Sequence, residues 1–501
     1  MARFSPLVLT TAVCLVGNAF AGGSLCADAC RALATRLPKR VSFPDTTAYN
    51  ESISSYFSGQ EKDLHPGCIY SPESTSEVVQ FIKLVNELGH TKKPGSPDIQ
   101  FAIRSGGHTV FSGAANINGG ITVDMRAINS MVLSEDRKVA SIGTGAKWSE
   151  LYPELLKYNI TVMGGRVTDI GVGGLITGGG INFFSRRYGF DCDNVYGYEV
   201  VLASGEVVYA TAGSYSDLWL ALKGGSNNFG IVTRVDLPTF EVGTVWGGIV
   251  HFNYTQEVIE AEAAAFANFM SPEAFDDAAD MAMAFIFRSP TTYLAGNPIY
   301  YVKPAANPPI YQPFTSIPEN TYNTLRYTNI SDLVFEQAGG LPANQSRSIS
   351  ITTSYYNDDV SLIVGLVQIW DAATRSLSDV EGLQLTMLNQ PYPVTNGTNS
   401  LGFPVGATDV ILLSVTSIYK NSADDDRMQS AIQAIVDKHK ALLQSRGVLI
   451  PYQYLNYADK SQDPIASYGA AVKARLQRVS KKYDPHSMFQ KQVPGGFKLF
   501  P

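Results

Sequence analysis

The segment Ile103-Arg104-Ser105-Gly106-Gly107-His108-Thr109 sets two glycines and a histidine directly after the apolar run Ile99 to Ile103. Glycines there let the backbone approach a ligand closely while one imidazole points at it, so the segment reads as a binding loop with a reactive group. A second stretch, Gly171-Val172-Gly173-Gly174-Leu175-Ile176-Thr177-Gly178-Gly179-Gly180, holds six glycines in ten residues. That is more backbone freedom than a core segment tolerates, and both stretches suggest amide N–H groups arranged around phosphates or a flat ring.

Upstream, Cys68-Ile69-Tyr70 reads as a short strand, and Ser74 with Glu77 as the capping box of a helix whose Val78, Val79, Ile82 and Val85 form one apolar face. The turn at Lys92 to Pro97 returns the chain to the strand Ile99 to Ile103. The Arg104 to His108 loop then leaves the C-terminal end of a parallel strand, where α/β sheets place ligands. Downstream, Ile121, Val123 and Met125 alternate as a half-buried strand, and Val139 to Ile142 follows a turn. Gly143 to Trp148 opens a helix through Leu151, Leu155 and Leu156. Val200 to Leu202 and Val207 to Tyr209 form a hairpin across Ser204-Gly205, Ser216 to Leu222 forms a helix, and Ile231 to Leu237 forms a strand ended by Pro238.

From about Thr239 the glycine clusters thin out. Strands at Met281 to Phe287, Ser348 to Tyr356 and Val410 to Tyr419 interleave with helices at Glu257 to Phe269 and Asp426 to Ser445, which suggests an antiparallel sheet with helices on one face. Phe285, Phe287 and Tyr355 fit a core or a pocket equally well. Near the end, Tyr452, Tyr454 and Asn456 alternate as on a strand, with Tyr457 opposite unless the strand bends. A helix with Val472, Leu476 and Val479 on one side follows.

The 501 residues are 45% hydrophobic and 17% charged, with 26 Tyr and 24 Phe, the composition of a globular protein of two to three domains. A net charge of −7 leaves no basic stripe for a phosphate backbone, so nucleic acid is not an expected partner. Arg3, the apolar run Leu7 to Val16 and Ala19-Phe20-Ala21 read as a secretory signal, and no other stretch suggests a membrane span. Six N-x-S/T sequons, at Asn50, Asn159, Asn253, Asn329, Asn344 and Asn396, agree with secretion. Cleavage would remove Cys14. Among the rest, Cys30 with Cys68 is the favoured disulfide, while Cys192 either pairs with Cys26 or, as preferred, stays a buried thiol. Six scattered histidines and no C-x-x-C pair make a metal site improbable. No G-x-S-x-G, G-x-x-x-x-G-K-[ST], H-E-x-x-H or G-x-G-x-x-G spacing occurs.

Arg104-Ser105-Gly106-Gly107-His108, Gly165-Arg166 with Gly171-Val172-Gly173-Gly174, Tyr188-Gly189 with Asp193-Asn194-Val195, Lys223-Gly224-Gly225 with Asn228-Phe229-Gly230, and Tyr454-Leu455-Asn456-Tyr457 follow one another in an order that resembles the berberine bridge enzyme-like flavoproteins. These are secreted members of the p-cresol methylhydroxylase-type (PCMH-type) FAD-binding superfamily. The resemblance runs from about Cys68 to Phe489 and is strongest to fungal members. It implies an α+β protein: a signal peptide over 1–21, a two-part FAD-binding domain over 22–238 (PCMH-type from about 62), a substrate domain over 239–449 with an antiparallel sheet and helices on one face, and a C-terminal segment, 450–501, returning to the FAD domain.

The resemblance further implies FAD joined covalently to His108. Arg104, Ser105, Gly106, Gly107, Thr109, Gly165, Gly171, Gly173, Gly174, Gly178, Asn228, Gly230, Ile231 and Asn456 are the other expected cofactor-binding residues. Many relatives form a second bond from a cysteine four residues before the first glycine of Gly-x-Gly-Gly. Val167 holds that position here, so His108 is expected to be the only attachment. Ile170 lies near where relatives control the approach of oxygen. The family's tyrosine base maps to Tyr457, with Tyr454 beside it, and a phenol, ordinarily near pKa ~10, needs flavin polarity or a cation to act as a base. The expected activity is that of a secreted, monomeric FAD-linked oxidase or dehydrogenase that takes a hydride from a small alcohol or secondary metabolite, with O2 as the expected electron acceptor and H2O2 as its product. The alternatives are a carbohydrate oxidase and a flavin-dependent cyclase without net oxidation.

Overall fold

The computed structural model describes residues 23–91, 98–339 and 346–500. The expected signal peptide with Cys14, the expected Lys92 to Pro97 turn and the Asn344 sequon lie outside the described residues. The fold is α+β, in two domains built on a pair of small sheets and one large antiparallel sheet.

The first sheet has four strands, ordered Val41–Ser42, Cys68–Tyr70, Ile121–Asp124, Phe101–Arg104. The helix Thr75–Thr91 does connect Cys68–Tyr70 to Phe101–Arg104, but these strands are not neighbours. Ile121–Asp124 lies between them, parallel to both. All four of its residues are buried, because a central strand is covered on both faces; the half-buried alternation expected there does not occur, and Met125 already begins a 3-10 turn. At the helix start, Ser74 Oγ accepts from Glu77 N at 3.3 Å as a cap should. The reciprocal half of the capping box is displaced: the Glu77 carboxylate takes the Glu73 amide (2.7 Å) and Arg40 instead. The Cys30–Cys68 disulfide is formed and fastens the helix Gly23–Arg36 to this sheet, while Cys26 and Cys192 are buried free thiols.

The second sheet, five antiparallel strands, contains the expected hairpin Gly197–Val201 with Val207–Thr211, and Ile231–Pro238 at its centre. The large sheet is antiparallel throughout. Along its main path run Val245–Asn253, Thr292–Tyr301, Met283–Arg288, Gln384–Pro391, Val410–Tyr419 and Arg347–Tyr356. One face is apolar and covered by the helices Gln256–Phe269, Val360–Thr374 and Asp425–Ser445. Phe285, Phe287 and Tyr355 lie in that core, which settles them as packing residues and not pocket lining. The opposite face is polar. Ser350, Ser414 and Thr416 form a hydroxyl triangle with edges of 2.9 to 3.3 Å, and Gln390 is buried on the adjoining strand.

The edge of Arg347–Tyr356 is closed by side-chain amides. Gln60 donates to Ser348 O (3.0 Å) and accepts from Ser348 N (3.1 Å); Gln462 does the same at Thr352, at 2.9 and 3.0 Å. Each glutamine supplies the donor–acceptor pair of a missing strand, which blunts an edge otherwise open to pairing. Tyr452 to Asn456 is not a strand. The strand Leu449–Ile450 stops, and Leu455–Tyr457 turns as a 3-10 helix, so Tyr454 and Tyr457 point by turn geometry and not by alternation. No helix among the described residues is long and apolar enough to cross a membrane.

The Cys30–Cys68 bridge closes a 38-residue separation between buried ends. Replacing both cysteines by alanine should lower unfolding stability by about 3 kcal/mol in urea titrations. An unchanged midpoint would show that the N-terminal helix is held by packing alone.

Candidate active site

The two glycine stretches meet backbone to backbone. A Cβ on Gly106 would stand 2.4 Å from Gly171 N, and one on Gly171 would stand 2.2 Å from Gly106 N, so each position admits only hydrogen. Ser105 fixes the contact: its Oγ donates to Thr144 O (2.7 Å) and accepts from Gly173 N (3.1 Å). Thr144 Oγ1 in turn donates to Val232 O at 2.6 Å, tying the junction to the second sheet. The loop after Arg104, the turn at Thr144 and the helix Val172–Thr177 thus converge on one serine hydroxyl.

Arg104 is completely buried, and both terminal nitrogens of its guanidinium are engaged by protein, while Nε has no hydrogen-bond partner among the described residues. The guanidinium donates to Ser52 O (2.6 Å), Ser52 Oγ (2.9 Å) and Ser55 Oγ (2.8 Å) and stacks over the Tyr56 ring at 3.7 Å. Its side chain therefore anchors the loop, leaving the main chain for a ligand. His108 stacks on Phe57 with ring centroids 4.1 Å apart, and its Nδ1 is buried without a partner. Burial is the main cause that pushes the imidazole down to about 4, Asp169 opposing and Lys147 adding to the shift, so the ring is neutral at physiological pH. Thr109 follows, half-buried.

The C-terminal segment closes over this junction. Tyr454 is fully buried; its hydroxyl accepts from Gly180 N (2.9 Å) and Asn456 Nδ2 (3.2 Å), and burial pushes its phenol well up, so it stays protonated. Asn456 also donates to Leu175 O at 3.0 Å, and its Oδ1 occupies the space a Cβ on Gly178 would need, at 2.0 Å. Tyr454 and Asn456 are therefore the ties that seat the half-buried Tyr457, whose ring meets Tyr454 edge-on at 5.1 Å. The Tyr457 hydroxyl faces Arg166 Nη2 at 3.4 Å; that nitrogen also donates to Gln390 Oε1 (2.9 Å), and Nη1 to Asp280 Oδ2 (3.1 Å).

Other expected site residues stand one layer back. Asn228 uses its amide on Gly225 O and Phe497 O, both 2.9 Å, and accepts from Gln490. Gly230 lets Ile231–Pro238 pass close to Val200, where a Cβ would sit 2.5 Å from Cγ1, and Ile231 is buried. They brace the strand that holds Thr144. Gly165 accepts the Tyr152 hydroxyl (2.8 Å) and lies against Trp148, whose Nε1 is buried without a partner. Val167 and Ile170 are half-buried in the loop between Arg166 and Gly171. Phe57, Gln390 and Asp280 carry no local sequence signal; each reaches the site through a long-range contact. Arg166 was visible beside Gly165, but its partners were not.

The residues fit FAD. Paired glycine loops with main-chain amides, a histidine with an orphaned ring nitrogen, and open space over Gly174 suit a flat cofactor with a pyrophosphate. A Cβ on Gly174, in the helix Val172–Thr177, would meet no atom within 4 Å beyond its chain neighbours and the backbone of that helix. Two substitutions separate fold from cofactor. Gly106→Ala should disrupt the junction and lower both thermal stability and flavin content. Gly174→Ala should keep or raise stability, by about 0.5–1 kcal/mol, yet lower the flavin-to-protein absorbance ratio; full flavin content in Gly174→Ala would remove that residue from the cradle.

A family model for an FAD binding domain matches residues 66–211. Among curated relatives, the FAD-dependent monooxygenase sdcF of Emericella nidulans is 35% identical over 94% of this chain and 98% of its own length. The FAD-dependent monooxygenase tpcD of Cochliobolus heterostrophus is 33% identical over 95% and 94%. Among solved structures, 6-hydroxy-D-nicotine oxidase from Arthrobacter nicotinovorans superposes with TM-score 0.76 at 18% identity, covering 90% of this chain and 96% of that one. BBE-like 1 of Physcomitrella patens gives 0.74 at 20%, over 92% and 98%. Glucooligosaccharide oxidase from Acremonium strictum, with a 6-S-cysteinyl, 8α-N1-histidyl FAD, gives 0.73 at 19%, over 95% and 99%. At these identities the structural likeness shows the fold, while the fungal relatives extend over nearly the whole chain. The protein belongs to the family of FAD-dependent oxidoreductases that includes these fungal relatives, and it shares its fold with the BBE-like proteins.

Proposed function

We propose that the protein is a secreted, monomeric FAD-linked oxidase of a small alcohol or secondary-metabolite alcohol, with FAD attached through His108 alone and Tyr457 as the base. The observation that carries this reading is the placement of the Tyr457 hydroxyl, seated by Tyr454 and Asn456 on the glycine junction and touched by Arg166. Bound there, FAD would accept a hydride from the substrate carbon and hand the electron pair to O2, giving H2O2. The chain's part is to hold the alcohol, take its hydroxyl proton at Tyr457 Oη and exclude water. Neutral His108 offers the unprotonated ring nitrogen that a bond to the flavin requires. Val167, in place of a cysteine, supports a single bond, unlike the doubly linked flavin described for glucooligosaccharide oxidase. Exposed sequons at Asn50, Asn159, Asn253 and Asn396, a half-buried one at Asn329 and the disulfide support secretion.

The hydroxyl triangle of Ser350, Ser414 and Thr416 favours a second reading, a polyhydroxylated substrate and hence a carbohydrate oxidase. The fungal relatives are named monooxygenases, a reaction that would place an oxygen atom from O2 in the product and require an external reductant. Product analysis under 18O2 separates the two chemistries: an oxidase leaves the label in H2O2.

Screening alcohols and oligosaccharides by anaerobic bleaching of the flavin band is the functional test. With any substrate that bleaches it, Tyr457→Phe should slow bleaching by about 10²-fold or more with flavin content unchanged. Near-normal bleaching in Tyr457→Phe would remove that tyrosine from proton transfer.

A further inference from the structure

The guanidinium of Arg166 stands at the junction of three parts of the chain. It comes from the loop between Gly165 and Gly171, pairs with Asp280 and Gln390 on the large sheet, and reaches Tyr457 of the C-terminal segment. Both contacts to Gln390 and Tyr457 use one nitrogen, Nη2. A guanidinium only donates, so the Tyr457 oxygen is the acceptor and its own O–H remains directed away from Arg166. The amide of Gln390 is oriented by the same logic, with its carbonyl towards the cation.

The charges around this point do not cancel. Arg166 is buried, and although burial opposes its charge, Tyr457 and Asp280 hold the guanidinium firmly protonated. Arg186 lies behind it, buried between the rings of Phe269 and Phe275 at 4.6 Å each, with all three guanidinium nitrogens lacking hydrogen-bond partners among the described residues. Asp280 is the buried carboxylate that these two cations share. The other buried carboxyl nearby, Asp191, has neither oxygen partnered, and burial raises it so far that it stays neutral. Among the described residues, the other titratable groups facing Tyr457 are the phenols of Tyr300, Tyr392 and Tyr454, all kept protonated by burial. Asp276 and Asp277, half-buried, also act on Arg186, but they are paired with Arg187 and Lys303, so among the buried groups two cations against one anion leave surplus positive charge beside a phenol oxygen.

We propose that Arg166 is the positioning residue for Tyr457: the nitrogen it shares between Gln390 and Tyr457 fixes the hydroxyl and supplies the positive charge against which that oxygen takes the substrate's proton. This rests on Tyr457 being the base. A tyrosine must carry negative charge to accept a proton, and an immobile guanidinium at its oxygen favours that state. Asp280 counteracts the effect by drawing on the same cation, so its removal acts in the opposite sense.

The test is the pH dependence of anaerobic flavin reduction by a substrate from the screen above, in wild type, Arg166→Gln, Arg166→Lys and Asp280→Asn. Arg166→Gln should move the alkaline-rising limb upward by about one pH unit or more, a roughly ten-fold slower reduction at neutral pH. Arg166→Lys should recover part of the shift, and Asp280→Asn should move the limb downward. As a readout independent of turnover, 13Cζ-tyrosine spectra should show the resonance missing from Tyr457→Phe moving at higher pH in Arg166→Gln than in wild type. A limb and a resonance unmoved in Arg166→Gln overturn the proposal, as does a loss of rate with no change in profile. If Tyr457→Phe itself reduces flavin normally, the reading of Tyr457 fails first, and the two failures are distinguishable.

Discussion

Gly106 and Gly171 touch through their main chains, with 2.2 to 2.4 Å left where a side chain would begin. Because neither position can carry a Cβ, the loop that ends in His108 and the loop that begins the helix Val172–Thr177 are forced into a single surface of amides. Ser105 holds that surface from beneath by linking Thr144 O to Gly173 N. Everything assigned to the site is placed relative to this contact: His108 is two residues beyond one glycine, Arg166 five residues before the other, and Tyr454 grips the end of the same glycine run at Gly180.

The second constraint is electrostatic. Burying a guanidinium is costly unless it is paired and hydrogen-bonded, and both terminal nitrogens of Arg166 find their partners in the other two parts of the chain. The positioning of Tyr457 and the docking of the large sheet against the glycine junction are therefore coupled through one side chain. Arg186 shows the contrasting solution, a cation held by aromatic faces in place of hydrogen bonds. Such an arrangement leaves its charge available to neighbours.

The parts of this protein legible in its sequence are those whose signals are local. The glycine runs, the Ser204-Gly205 hairpin turn, the amphipathic helices and the Cys30–Cys68 pair announce themselves within a few residues or by compartment chemistry. The insertion of Ile121–Asp124 between two strands joined by a helix is decided by long-range pairing, which periodicity does not encode. The tyrosine run near the C-terminus imitated a strand because alternating large residues suit either a pleat or a tight turn; hydrogen bonds to Gly180 and Leu175 select the turn. Phe285, Phe287 and Tyr355 were undecided until the helices covering their face were placed. Gln390 and Asp280 had no signature at all, since a glutamine and an aspartate in strands acquire meaning only from the arginine they meet.

We propose that the glycine junction presents His108 to FAD as its sole covalent anchor. Proteolysis of the denatured flavoprotein, followed by mass spectrometry of the flavin-bearing peptides, tests it directly. The account predicts a single flavin-modified peptide, modified at His108, and an unmodified peptide spanning Val167. A flavin released on denaturation, or attached to any peptide lacking His108, would contradict it.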